Sequence, residues 1–247
     1  MSDREIKTEN IKVRSSDIEV DAYLALPSGE GTFPGVVVVQ EIFGVNDHIR
    51  DVTRRLAAAG YAAIAPAIYQ RQAPGFEVGY TSEDIEIGRK YKVQTRASEL
   101  LADIQGAIDT LKSLPQVKKA EFGCIGFCFG GHVAYLAATL PDIAATASFY
   151  GAGIATLTPG GGEPTISRTR EIQGTLYAFF GMEDASIPAL EVNQIEAELQ
   201  KYEIPHQIFR YEGADHGFFC DRRASYNPEA ATDAWQKVLQ LFANLKD

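Results

Sequence analysis

A chain of 247 residues, 45% hydrophobic and 23% charged, is long enough for one large α/β domain spanning residues 1–247 and far from a disordered or fibrous composition. Its net charge of −10 argues against a nucleic-acid partner, because phosphate binding needs a basic surface, although a few arginines can reverse the field inside one pocket. Met1 to Asn10 is polar and mixed in charge, without the apolar core of a signal peptide, and no apolar run approaches ~18 residues, so a cytoplasmic protein with no membrane partner is expected.

In chain order, Ile18 to Pro27 alternates with strand composition, and Phe33 to Val39 holds four consecutive valines that read as a strand buried on both faces, hence a parallel sheet. Asp47 is a plausible N-cap for a helix through Ala59 that ends at Gly60, and Tyr61 to Pro66 is a short buried strand. Tyr69 to Lys92 is rich in Gly, Pro, Tyr and charge, and reads as a surface excursion of the kind that forms lids or pocket walls. A helix over Thr95 to Leu114 follows, stopped by Pro115. Next come strand Glu121 to Phe127, helix Gly130 to Leu140 and strand Ile143 to Tyr150. Thr158 to Pro164 is a Gly-rich loop that lacks the lysine and spacing of a phosphate cradle. Strand Thr175 to Phe180, helix Ala189 to Tyr202, strand Pro205 to Tyr211 and a closing amphipathic helix Pro228 to Leu245 complete one doubly wound, mostly parallel sheet with helices on both faces.

Where the strand ending at Phe127 meets the next helix, the residues Gly126, Phe127, Cys128, Phe129, Gly130 and Gly131 read G-x-C-x-G-G. This is the nucleophile elbow of an α/β-hydrolase fold, in which small residues flank a turn too sharp for side chains. It lifts Cys128 above the sheet and aims the helix N-terminus at the sulfur, which favours the reactive thiolate. Cys124, inside the strand, fits a buried inert thiol, and Cys220 an incidental one. The three cysteines are an odd set without CxxC spacing, so no disulfide framework, no metal site and no cofactor is indicated.

The partners of such a nucleophile follow it in the order acid, then histidine, each in a loop beyond a strand. Asp184, in Gly181-Met182-Glu183-Asp184, holds the acid's place with Glu183 as competitor; His216, in Asp215-His216-Gly217-Phe218, holds the histidine's. His48, His132 and His206 fall in or beside helices and strands and lack that position. At the end of the valine strand, Gln40-Glu41-Ile42-Phe43-Gly44 should face the same crevice. The oxyanion-hole donors are then the backbone N–H groups of Ile42 and Phe129. Glu41 is unexpected there, since a carboxylate near a developing oxyanion costs energy unless it has a task.

With Glu41, Cys128, Asp184 and His216 assembled, the chain resembles the dienelactone hydrolase family, the carboxymethylenebutenolidases of chloroaromatic degradation. The likeness runs from Gln40-Glu41-Ile42-Phe43-Gly44-Val45-Asn46 through Gly60-Tyr61-Ala62-Ala63, Tyr69 and Arg71-Gln72-Ala73-Pro74-Gly75 to the elbow and the two later loops. The resemblance implies that Cys128 attacks a lactone carbonyl with His216 and Asp184 in support, while Glu41 holds the resting thiol neutral and helps take its proton when an anionic substrate arrives. It also implies arginines that hold a substrate carboxylate. Arg89 matches one loosely; by direct count the other falls at Cys220, with Arg222 and Arg223 two and three residues later. Arg89, Arg222, Tyr91 and Tyr150 are the candidate substrate contacts. The expected activity is hydrolysis of a small lactone or ester by a monomer or homodimer. The alternatives are a thioesterase or acyltransferase on the same triad, or a catalytically idle binding module.

Overall fold

The strands expected from the apolar runs pair into one sheet, and an eighth strand precedes them. In the computed structural model, which describes residues 5–246, the strands are β1 (Ile6–Ser15), β2 (Ile18–Pro27), β3 (Gly35–Val39), β4 (Ala62–Pro66), β5 (Phe122–Phe127), β6 (Ile143–Phe149), β7 (Thr175–Gly181) and β8 (His206–Tyr211). Their order is β1-β2-β4-β3-β5-β6-β7-β8. β1 and β2 form an antiparallel hairpin and β2 runs antiparallel to β4, whereas every other pairing is parallel. β1 carries almost no apolar signal because it lies at the sheet edge with most of its side chains in solvent.

Six helices cover the faces: α1 (Asp47–Ala58), α2 (Ser82–Lys92), α3 (Ala97–Ser113), α4 (Phe129–Ala137), α5 (Ala189–Lys201) and α6 (Pro228–Ala243). Period-two alternation in β3 sorts them. Val36 and Val38 share a core with Ile49, Val52 and Leu56 of α1 and Val238, Leu241 and Phe242 of α6. Val37 and Val39 face Ile104, Ile108 and Leu111 of α3 on the other side. The cap of α1 is Asn46 rather than Asp47: the Asn46 side chain accepts from the Ile49 N–H, leaving Asp47 in the first turn to complement the helix dipole.

The excursion after β4 ends in a helix of its own. α2 starts from a reciprocal capping box, in which Thr81 accepts from the Asp84 N–H and Asp84 accepts from the Thr81 N–H. Among the described residues no helix is long and apolar enough to cross a membrane.

One buried ion pair ties the early strands to α3. Asp103, fully buried, accepts two bonds from Arg71 at 2.7 and 2.9 Å and one from Ser15 of β1 at 2.5 Å. Removing the carboxylate leaves Arg71, whose side chain is 16% exposed, without its main partner. Asp103→Ala is expected to cost about 3 kcal/mol, the scale of breaking a buried pair. Thermal unfolding should show a loss of roughly 6–12 °C in Tm for a chain of this size.

Candidate active site

The turn from β5 into α4 is held by close backbone approaches that only glycine permits. A Cβ on Gly126 would lie 1.9 Å from the Gly130 carbonyl oxygen, one on Gly130 would lie 2.3 Å from the Gln40 oxygen, and one on Gly131 would lie 2.2 Å from the Phe149 oxygen. Cys128 sits between them at φ 56°, ψ −118°, a strained conformation for an L residue, and its N–H donates to Phe149 at 3.0 Å. As the residue preceding α4, it receives the field of the helix's unpaired N–H groups. It is partly exposed, whereas Cys124 is buried and its thiol is pushed up to about 12 by desolvation.

The ends of β7 and β8 approach just as closely. A Cβ on Gly181 would lie 2.3 Å from the Ala214 oxygen, and this contact sets the two following loops side by side. Asp184 and His216 meet there, with Nδ1 of the ring 2.6 Å from Oδ2. The other Asp184 oxygen accepts from the Ser186 N–H at 2.8 Å and the Ser186 hydroxyl at 2.5 Å. Burial alone would raise the Asp184 carboxyl, but the His216 and Ser186 bonds outweigh it and hold it below the ordinary range. Glu183 points to solvent, and Asp215 accepts from the His216 backbone N–H. For His216, burial lowers the pKa, while the Cys128 sulfur and the Asp184 carboxylate together carry it up to about 10.

The loop after β3 explains its own composition. The Gln40 side chain accepts from the Ile68 N–H at 3.2 Å and donates to the Glu41 carbonyl at 3.2 Å, pinning the turn from below. Gly44 takes φ 81°, and a Cβ there would strike the Phe76 oxygen at 2.1 Å. α2 closes from above, where Gly88 lies so near that its Cβ would be 2.4 Å from the Ile42 oxygen.

Between these clamps Glu41 is fully buried. Its carboxylate accepts from Arg223 at 3.1 Å and from the Tyr80 hydroxyl at 3.3 Å. Desolvation pushes the Glu41 carboxyl up, against the pull of Arg223, His216 and Tyr80. Arg223 reaches it by crossing Gly217, where a Cβ would collide with the guanidinium at 2.5 Å. Glu41, His48 and Cys220 place potential metal-ligand atoms within 4.8 Å of one another. Protein partners already occupy two of them, because Cys220 donates to the Tyr80 hydroxyl at 3.3 Å and Glu41 holds Arg223. Burial pushes the Cys220 thiol up to about 11.

These groups open into a cavity of about 360 Å³ lined by Cys128, His216, Asp184, Ile42, Phe129, Arg89 and Arg223, among others. A sequence model of the Dienelactone hydrolase family matches residues 20–246. A Synechocystis sp. protein named "Putative carboxymethylenebutenolidase" is 61% identical over 96% of this chain and 97% of its own length. A Yersinia pestis protein of the same name is 34% identical over 93% and 85% of the two chains. A Klebsiella pneumoniae crystal structure described as "Putative Dienelactone Hydrolase" superposes with a TM-score of 0.87 at 32% identity, covering 97% of this chain and 99% of that one. The chain belongs to the dienelactone hydrolase family. It is a hydrolase of the α/β-hydrolase fold.

Within that family site the candidate substrate contacts are placed unevenly. Arg89 lines the cavity. Arg222 points outward, 58% exposed and 3.6 Å from Asp221, while its neighbour Arg223 enters the cleft. Tyr91 packs into an aromatic group, tilted against Tyr69 and edge-on to Phe76, and Tyr150 is fully buried with its ring edge-on to His216 at 5.2 Å. Tyr150 therefore braces the histidine from behind. Tyr80 and Ser186 carry no motif in the sequence, and Arg223 stands there only as the neighbour of the candidate Arg222.

His216 supplies a pH test. Its folded pKa of about 10 lies above the ordinary 6.5, so its contribution to stability is complete below about 6.5 and is lost as pH rises through about 10. An NMR titration should place the ring well above 6.5 and show a clear fall in Cys128→Ala, which removes the largest influence raising it. An unchanged value would mean that Asp184 alone sets the charge of the ring.

Proposed function

We propose that the chain hydrolyses a lactone or carboxylic ester through a Cys128 nucleophile, with His216 as acid and base, Asp184 orienting the ring, and Glu41 controlling ionisation of the thiol. The observation that carries this reading is the 2.6 Å His216–Asp184 contact in one cavity with a partly exposed Cys128 held in the strained elbow conformation. Its support is geometric: nucleophile, ring and carboxylate stand at the ends of β5, β8 and β7, on one rim of the sheet.

In the proposed reaction the substrate enters the cleft and its anionic group draws Arg223 away from Glu41. Freed of that cation, the buried Glu41 carboxylate binds a proton more strongly and takes the one on Cys128. The thiolate adds to the carbonyl carbon, and the resulting oxyanion accepts from the Ile42 and Phe129 N–H groups. Collapse of this intermediate breaks the ester C–O bond, with protonated His216 giving its proton to the leaving oxygen, and leaves a thioester at Cys128. With the thiolate consumed, the strongest influence keeping His216 protonated is gone. The neutral ring can then deprotonate a water that attacks the thioester, the C–S bond breaks to release the acid and the thiolate, and the proton held by Glu41 returns to the sulfur.

A panel of lactones and p-nitrophenyl esters tests the chemistry. Turnover should fall by about 10³-fold or more in Cys128→Ala, in line with loss of a nucleophile, and intact-mass measurement of the wild-type protein should catch an acyl adduct on Cys128. Full activity in Cys128→Ala with no adduct would sink the cysteine mechanism. Product analysis with added alcohol or thiol separates hydrolysis from acyl transfer.

Glu41 gives an independent test. Glu41→Gln keeps the shape and an acceptor oxygen for Arg223, so kcat should drop at least about tenfold while Tm moves little. Intact kcat would reduce Cys128 to an ordinary triad nucleophile.

A further inference from the structure

Beside the catalytic cavity lies a larger one of about 880 Å³ that the proposed chemistry does not use. The two share Arg89, Lys92 and Phe129 as a common wall. Arg223 lines only the catalytic cavity, and Arg96 lines only the second. The far wall is the Gly-rich loop, with Leu157, Thr158, Pro159, Gly160 and Gly161. Gly160, Gly161 and Gly162 have φ of 86°, 88° and 105°, and the Pro159 carbonyl accepts from the Ala97 N–H at 2.9 Å, which fixes the loop to the start of α3. Gly160 packs so closely that its Cβ would lie 3.1 Å from the Arg96 Cα.

Two features of this chamber point to a ligand. Its cations lack counter-ions: among the described residues Arg89, Lys92 and Arg96 form no ion pair, in a chain whose net charge is −10. No carboxylate lines the chamber to neutralise them. Its floor is also apolar where a soluble surface is normally polar. Val93 is 77% exposed and Leu157 41% exposed, on either side of the buried Phe129, whose ring lies 5.5 Å from the Lys92 ammonium.

We propose that this chamber is a substrate subsite for the distal part of the molecule: an apolar chain or ring laid on Val93, Leu157 and Phe129 that ends in an oxyanion such as a carboxylate, received by Arg96 and Lys92. The favoured substrate is then an ester or lactone whose scissile carbonyl sits at Cys128 and which carries, besides the group that meets Arg223, a distal anionic end several bonds away in the second chamber. This rests on the hydrolase reading above and adds to it the class of substrate. An apolar floor alone would select any hydrophobic ester. Convergent unpaired cations select the charged one, because an anion entering the chamber meets favourable field and no competing carboxylate.

Matched p-nitrophenyl esters decide it: the monoesters of succinic and sebacic acids, whose free ends are carboxylates, against the methyl-ended butyrate and decanoate. The expected result is a lower KM for sebacate than for decanoate, with no such advantage for succinate over butyrate, since only the long chain reaches the second chamber. Arg96→Glu, an exposed position outside the catalytic cavity, should raise the sebacate KM about threefold to tenfold and leave decanoate turnover unchanged. Raising the salt concentration should shrink the wild-type advantage in parallel.

Equal KM for the two long esters, or an Arg96→Glu effect of the same size on both, would overturn the subsite while leaving Cys128-dependent hydrolysis standing. Calorimetry with the inert mono-anilides of the same acids reads binding without turnover. If no ester is cleaved, the hydrolase reading fails, and tighter sebacanilate than decananilide binding, lost in Arg96→Glu, still decides the subsite.

Discussion

The close packing of backbone on backbone at the sheet rim is the constraint on which the rest of the site depends. β5 must turn into α4 within a few residues while the loop after β3 and the end of β6 press against the same turn, and Gly126, Gly130 and Gly131 are the places where carbonyl oxygens stand within 2.3 Å of where a Cβ would be. Any side chain there would push α4 off the sheet, carrying with it the N–H groups that face the sulfur. The strain at Cys128, of order 1–3 kcal/mol, is sustained because the surrounding strands leave no relaxed alternative. The same device recurs at Gly181, where a carbonyl of the neighbouring loop fills the space of a side chain and thereby brings Asp184 to His216.

A second constraint follows from burying charge. Glu41 has no exposed surface, and a carboxylate in that position is tolerable only because Arg223 and the Tyr80 hydroxyl supply partners. Arg223 in turn faces the rings of Phe43 and Tyr80, with its guanidinium carbon 5.8 and 5.7 Å from their centres, so its charge is held in place by aromatic walls as well as by the carboxylate. The arrangement is balanced rather than locked. Desolvation drives Glu41 toward its neutral form while Arg223 drives it toward the charged one, and whatever moves the guanidinium changes which wins. A buried ion pair at a cavity wall is poorly suited to adding stability and well suited to responding to an anion.

Much of this was legible in the chain. The four valines of β3, the Gly-x-Cys-x-Gly-Gly turn and the order of Asp184 and His216 carry their signals locally, because burial on both faces, a sharp turn and loop position each leave a pattern in consecutive residues. What depends on pairing did not. β1 is polar along most of its length and becomes a strand only because β2 offers ten residues of register. α2 is short and weakly patterned, and its capping box is visible only once the following turn is known to be helical. Arg222 and Arg223 are indistinguishable by composition, and their fates diverge on the direction of a turn: one meets Asp221 in solvent, the other passes over Gly217 into the cleft. Asp47 and Asn46 differ in the same way, since either could cap α1 and the backbone angle at Asn46 decides.

The charge of His216 links the two halves of the proposed reaction. Once Cys128 ionises, a ring kept protonated against burial by the thiolate and the Asp184 carboxylate is a good acid and a poor base. Ester cleavage needs the acid first, to supply a proton to the departing oxygen, and the base second, to activate water. No conformational change is required for the exchange, because acylation itself removes the negative sulfur and leaves Asp184 alone to oppose desolvation. Asp184 is both charged and anchored. Two bonds from Ser186 hold one of its oxygens, so the ring keeps its orientation through both protonation states. Tyr150, buried edge-on behind the ring, closes the other side. In the proposed reaction the site thus keeps its geometry fixed and lets the covalent state of the sulfur set the direction of proton transfer.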